Sequence, residues 1–177
     1  MSQLIMVIRH AEKPRPGGDE IAVDSRGMAD PAGLSVRGWQ RAGALVPYFA
    51  SRTSSSRQPG ITAPGGIFAA ASHGRSRRPA LTVAPLAAAL QLQVQAEHRC
   101  DGGEDEVIRR SLAATRPVLI CWRHEQIPRL AGALGVADAA ARRWDEDCYD
   151  EVWVFARDDD RDWRWSVQHQ SLLAGDA

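Results

Sequence analysis

Leu4-Ile5-Met6-Val7-Ile8 and Val118-Leu119-Ile120-Cys121-Trp122 are unbroken apolar runs, and each is followed at once by Arg-His, as Arg9-His10 and Arg123-His124. A run of this kind has no polar side to turn toward water. It reads as a strand buried on both faces, which requires helices above and below the sheet. No other feature constrains the fold as much. It also says where function should lie, because ligands of open α/β sheets bind beyond the carboxyl ends of the strands. Both Arg-His pairs fall there.

The segments in between supply the rest of the architecture. Residues 13–33, rich in Pro, Gly and Asp, show no period and read as a long active-site loop. Ser35 suits an N-cap for a helix whose Leu34, Trp39, Ala42, Leu45, Val46 and Phe49 form one apolar stripe. Pro47 and the Ser/Arg/Pro/Gly run to Gly60 are expected to end that helix. Gly66–Ala71 predicts a second strand, Ser72–Arg78 a basic turn, and Pro79 to about Leu90 a helix with proline in its first turn. Leu92–Gln95 is a short strand candidate. Glu104-Asp105-Glu106 opens another helix with acid at its favourable end, and Glu125–Leu134 predicts a helix with Pro128 in its first turn. Glu151–Phe155 and Trp163–Val167 flank a polar turn and predict an antiparallel hairpin at the sheet edge. The order implies an α/β fold: one domain over residues 1–177, a three-layer α-β-α sandwich with a mostly parallel central sheet and an antiparallel C-terminal hairpin.

The formal net charge of zero gives no reason to expect a nucleic-acid or acidic-membrane partner. No apolar stretch approaches the ~18 residues of a membrane span, and the opening run is too short for a signal peptide. Cys100, Cys121 and Cys148 are an odd number without a CxxC pair, which favours a reducing compartment, so a cytoplasmic location is expected. Cys121 reads as a small core hydrophobe. Nothing in the sequence speaks to oligomeric state.

Three segments place cationic or imidazole groups just after a strand: Arg9-His10, Arg75 to Arg78, and Arg123-His124. Strand ends of one parallel sheet converge on one rim, so these groups can meet. A pocket of arginines and histidines with little carboxylate is matched to a phosphoryl group, whose oxygens the guanidinium forks grip and whose transition-state charge they stabilise. A metal held by His10 and His124 is disfavoured by Arg9 and Arg123 beside them, and no ligand spacing supports zinc. No metal and no cofactor are expected. His73 is close to the pocket, while His98 and His169 have no evident partner.

At these residues the sequence resembles the histidine phosphatase superfamily in its compact bacterial form, a phosphohistidine-phosphatase-like branch of the phosphoglycerate-mutase-like proteins. Arg9-His10-Ala11-Glu12 is similar to the Arg-His-Gly-Glu signature, with Ala in the Gly position. Gly33-Leu34-Ser35-Val36-Arg37-Gly38-Trp39-Gln40-Arg41-Ala42 is similar to the Gly-Leu-Thr/Ser-x-x-Gly-x-x-Gln-Ala helix start. Arg78-Pro79-Ala80-Leu81-Thr82 is similar to the Arg-x-x-x-Thr segment and singles out Arg78 over Arg75 and Arg77. Val118–His124 is similar to the strand carrying the second histidine. The matches run from Leu4 to about residue 135 in the family's order. Two departures stand out: Glu125 occupies the usual Gly position after the second histidine, and the stretch between Ser72 and Arg78 is longer than usual.

The resemblance implies a phosphoglycerate-mutase-like fold and a metal-independent phosphatase, hydrolysing a phosphomonoester or phosphoramidate through a covalent phosphohistidine. His10 is the implied nucleophile, and Arg9, Arg78 and His124 the groups that bind the phosphoryl oxygens. A neutral imidazole can attack phosphorus if an acceptor holds its other nitrogen and fixes the tautomer. The general acid stays open. Glu125, resembling the His-Asp arrangement of the acid-phosphatase branch, is the first candidate and Glu97 the second. With neither, good leaving groups such as phosphohistidine fit better, and Glu12 is free to hydrogen-bond the pocket arginines. The implied partner is a small phosphorylated metabolite or a phosphoprotein. Two alternatives stand beside this: a non-catalytic phosphate-binding member of the fold, and a phosphoglycerate-mutase-type phosphotransferase. Mutases are longer and carry capping segments, for which only the loop at 13–33 is available here.

Overall fold

The computed structural model describes residues 2–50, 58–71, 76–99, 101–114, 117–158 and 161–176. His73, Arg75, Cys100 and most of the expected basic turn lie outside the described residues. Six strands form one sheet: β1 (Gln3–Arg9), β2 (Gly66–Ala69), β3 (Val94–Gln95), β4 (Val118–Trp122), β5 (Glu151–Arg157) and β6 (Arg164–His169). Their spatial order is β3-β2-β4-β1-β5-β6. The first four run parallel, β5 is antiparallel to β1, and β6 is antiparallel to β5 at the sheet edge.

The two apolar runs lie side by side in the middle, with Arg9 opposite Trp122. Alternate residues feed opposite cores. Ile5 and Val7 join Val118, Ile120 and Trp122 on one face, while Met6 and Ile8 join Leu119 and Cys121 on the other. Helices α1 (Val36–Ala50) and α2 (Arg78–Leu90) cover the second face through Leu45, Phe49, Val83 and Leu86. Helices α3 (Glu104–Ala113), α4 (Ile127–Ala133) and α5 (Ala137–Ala141) cover the first through Val107, Ile108, Leu130 and Ala139. The three layers follow from this: a sheet apolar on both faces must be covered on both. Among the described residues, no helix is long and apolar enough to cross a membrane.

Four sequence expectations need correcting. Pro47 does not end α1, which runs on to Ala50 and buries Phe49 completely. The proline removes only the bond to the Gly43 carbonyl, and Gly43 lies on the exposed side of the helix, where losing that bond costs least. The helix expected from Glu125 is split into a 3-10 turn at His124–Gln126 and α4. Pro128 cannot donate to the His124 carbonyl, and the Ile127 N–H takes that carbonyl in the tighter pattern instead. Helix α5 has no counterpart in the sequence reading. Of the hairpin expected at the sheet edge only β6 lies there; β5 is buried without a break over Glu151–Phe155, because it sits inside the sheet between β1 and β6.

Ser35 does cap α1, its Oγ accepting the Gly38 N–H at 3.1 Å. The helix start lies hard against the end of β1: the Ser35 N–H donates to the Glu12 carbonyl at 3.0 Å, and a Cβ at Gly38 would collide with that same oxygen.

Candidate active site

The hydrogen-bond ladder does not stop with the strands. His10 N–H donates to the Trp122 carbonyl at 3.1 Å and Ala70 N–H to the Cys121 carbonyl at 3.0 Å, so the chain leaves β1, β2 and β4 at one rim. One residue on, Ala11 N–H donates to Thr82 Oγ1 at 2.8 Å, and that hydroxyl donates to the Arg78 carbonyl at 2.8 Å. Thr82 therefore fastens the start of α2 to the end of β1. Its place in Arg78–Thr82 marked it in the sequence, but its partner was not readable there. Thr82→Val leaves the buried Ala11 N–H without an acceptor and should lower stability by about 1–3 kcal/mol. Urea denaturation tests this, and an unchanged midpoint would count against the link.

His10 is buried, and its Nδ1 lies 2.8 Å from the Ala11 carbonyl. A carbonyl only accepts, so Nδ1 carries the proton and the Nε2 lone pair is free. Burial pushes the imidazole down to about 3. The Ala11 bond opposes this, and the charges of Arg9, Arg78 and His124 add to it. Arg78 at the start of α2 and, when protonated, His124 after β4 thus bear on His10 electrostatically. A group with a lowered pKa stays neutral above it, so an NMR titration of the His10 ring should show no midpoint between about pH 5 and 8. A midpoint near the ordinary histidine value would contradict the buried neutral ring.

Arg9 is fixed by the segment before β5. Its Nη1 donates to the carbonyls of Asp145 (3.3 Å), Glu146 (2.5 Å) and Cys148 (2.9 Å), and its Cζ sits 3.7 Å above the Tyr149 ring. Burial lowers its pKa. Arg78 donates from Nε to the Gly33 carbonyl at 3.0 Å and from Nη2 to the Pro31 carbonyl at 3.1 Å, which holds the end of the 13–33 loop. Arg77 points away to an exposed pair with Asp30. His124 is mostly buried, and its Nδ1 stands 3.4 Å from Glu125 Oε2 without forming a hydrogen bond. Burial and then Arg9 hold its pKa below the ordinary value, against the pull of Glu125.

The two candidate acids separate. Glu125 is half-exposed on the wall of a cleft of about 1120 Å³ that Arg9, His124 and Tyr149 also line. Glu97 is absent from that lining and faces Arg110 at 3.6 Å with its side chain 70% exposed. Glu12 does not bond Arg9 or Arg78, contrary to the sequence reading. Its carboxylate is gripped by Arg41 (2.8–3.0 Å) and Arg37 (3.2 Å) of α1. Arg41 in turn binds Asp176 at 2.6 Å, and this buried cluster forms the far wall of the cleft. His98 is buried near Phe68, and His169 pairs with Asp150 at 3.3 Å. Among the described residues, no group of three or more His, Cys, Asp or Glu side chains is arranged to hold a metal ion.

Arg41, Tyr149 and Asp176 carry structural weight that the sequence reading did not give them. Arg41 sits on the buried stripe of α1, where an arginine among apolar residues was a signal. Residues 143–150 are polar and aperiodic and offered none.

No family model matches the sequence, and no curated protein matches it. Solved structures do. One, assigned as the phosphohistidine phosphatase SixA of Agrobacterium tumefaciens, is 17% identical with a TM-score of 0.56, covering 93% of this chain and 97% of its own. A phosphoglycerate mutase of Plasmodium falciparum is 10% identical with a TM-score of 0.56, covering 100% and 97%. A variant of a phosphoserine phosphatase of Entamoeba histolytica, in complex with phosphoserine, is 8% identical with a TM-score of 0.55, covering 96% and 98%. At such identities the likeness is one of fold.

Proposed function

We propose, on the premise that this chain has the fold of the histidine phosphatases and phosphoglycerate mutases, that it is a metal-independent phosphatase acting through a phosphohistidine on His10. One observation carries the reading. His10 is a buried neutral imidazole whose Nδ1 is tied to the Ala11 carbonyl and whose other nitrogen is free, with the charges of Arg9 and Arg78, and that of His124 once protonated, acting on it. A packing histidine does not need three cationic or imidazole groups around it, whereas a nucleophile for a phosphoryl dianion does.

In the first step the Nε2 lone pair forms the N–P bond as the bond to the leaving oxygen or nitrogen breaks. Arg9 and Arg78 bind the oxygens and stabilise the charge spread over them. His124, neutral in the free protein, gains a proton as the dianion arrives, since a nearby negative charge favours the imidazolium. Glu125 on the cleft wall protonates the leaving group. Water then attacks phosphorus, giving a proton to the Glu125 carboxylate as the N–P bond breaks, which releases phosphate and restores the neutral imidazole. The cleft beside Arg9 and His124 takes the rest of the substrate, a small phosphorylated metabolite or a phosphorylated side chain.

Two guanidinium groups beside the nucleophile repel a dication, so activity should not depend on one. Hydrolysis of an aryl phosphate by the full chain tests the reading, and the rate should survive EDTA. Loss with EDTA and recovery on adding a divalent ion would overturn metal independence, and no hydrolysis of any phosphoester or phosphoramidate would overturn the phosphatase.

A further inference from the structure

We infer that Tyr149 is a positioning residue for Arg9: its ring and the carbonyls of Asp145, Glu146 and Cys148 immobilise the guanidinium in the orientation in which Arg9 lines the cleft and meets a phosphoryl group. The inference rests on the proposed role of Arg9 and deepens it.

The geometry accounts for the guanidinium's surfaces in turn. Nη1 is committed to three carbonyls at 3.3, 2.5 and 2.9 Å. One face is covered by the Tyr149 ring, with Cζ 3.7 Å from its centroid, the arrangement that lets a cation rest on the ring quadrupole. Nε is buried and has no partner among the described residues. A buried donor left open is unfavourable unless something completes it, and Arg9 lines the cleft. The same ring approaches the His10 imidazole edge-on, with centroids 6.4 Å apart and planes at 60°. Tyr149 thus touches the proposed binding cation and flanks the proposed nucleophile.

Topology explains how a distant segment arrives there. β5 pairs antiparallel with β1, with Val7 opposite Trp153, so the residues just before β5 are carried over the end of β1 where Arg9 and His10 emerge. Without the ring, the collar of carbonyls still holds Nη1, but the plane can tilt about it. Small displacements of a phosphate-gripping group are costly in rate, up to about 10²-fold for a misplacement of about 1 Å.

The test compares the full-length native chain with Tyr149→Phe and Tyr149→Leu, reading the Arg9 Nε–H by NMR and aryl phosphate hydrolysis by kcat and KM. Expected are an immobile Arg9 Nε–H in the native chain and in Tyr149→Phe, which keeps the ring and nearly all the activity. Tyr149→Leu should mobilise the Nε–H and lower kcat/KM by about 10–10²-fold. A simple packing role predicts instead that Phe and Leu behave alike, and equal kcat/KM in Leu and native chains overturns the inference. Should Tyr149→Leu not fold, the native chain decides. A mobile Arg9 Nε–H, or one that does not move on titration with inorganic phosphate, also overturns it. A native chain that binds inorganic phosphate through an immobile Arg9 yet hydrolyses nothing would sink the phosphatase and leave the positioning intact.

Discussion

His10→Ala is expected to reduce aryl phosphate hydrolysis by on the order of 10⁴-fold or more, the scale on which loss of a covalent nucleophile is felt. The substitution removes the only group through which a phosphoenzyme can form in the proposed reaction, and leaves Arg9, Arg78 and His124 to bind phosphate. The effect should therefore fall on kcat, with phosphate affinity largely kept. In a rapid quench, the native chain should carry phosphorus that is stable to alkali and labile to acid, and the variant none. Stability is expected to fall by about 1–3 kcal/mol, because the buried Ala11 carbonyl loses its His10 donor; being neutral, His10 leaves no charge partner stranded. Equal rates in the two proteins would leave a phosphate-binding protein of the same fold, and would remove the phosphohistidine from the account.

Arg41→Met should be the most destabilising single change near the site, by about 3–5 kcal/mol. The Arg41 side chain is 3% exposed and binds two carboxylates that are 9% and 5% exposed, Glu12 and Asp176. Methionine fills most of the space, but both acids then stay buried with only the half-exposed Arg37, at 3.2 Å from Glu12 and 3.4 Å from Asp176, to offset them. Burial works against the charge on Arg41, yet its bonds to Asp176 and Glu12 hold its pKa above the ordinary value. Burial likewise works against the Asp176 carboxylate, while Arg41 and the Leu172 and Leu173 N–H groups bring its pKa below the ordinary value.

The sign with pH follows from that direction. A depressed folded-state pKa means that the stabilisation is fully present above the unfolded value of about 4 and fades as pH falls through the lower folded value. In Arg41→Met the acids are raised instead, so on acidification from neutral pH toward about pH 5 the variant should lose less stability than the native chain, in which the depressed His10 already opposes acid over that range. Urea denaturation at both pH values reads the two slopes. A loss below roughly 1 kcal/mol, the range of an exposed pair, would show that the cluster is not the buried tie described here.

The same cluster shows where sequence reasoning reaches its limit. Glu12 follows the signature histidine and Arg41 falls on the core stripe of α1, so both were visible as residues. Their pairing was not, because it depends on how α1 crosses the end of β1, and on Gly38 letting the two backbones touch. Pro47 was read as a helix end from its missing N–H alone. Whether that loss matters depends on the exposure of Gly43, a tertiary fact. Glu125, beside the second histidine, was the first candidate acid and Glu97 the second, both as carboxylates near strand ends. Only the packing sends one to Arg110 and the other to the cleft wall.

The sequence by itself determined the layered α/β architecture, the two central strands, and the rim at which Arg9, His10 and His124 emerge. Those follow from local rules, since an apolar run buried on both faces and the chain's exit from it are properties of contiguous residues. The tertiary structure alone decided the His10 tautomer, the Thr82 link to α2, the Arg41 cluster with Glu12 and Asp176, and the Tyr149 face beneath Arg9. Each joins residues distant in the chain through the direction of a donor, the plane of a ring or the depth of burial. No periodicity encodes those quantities, because they exist only once the strands have paired.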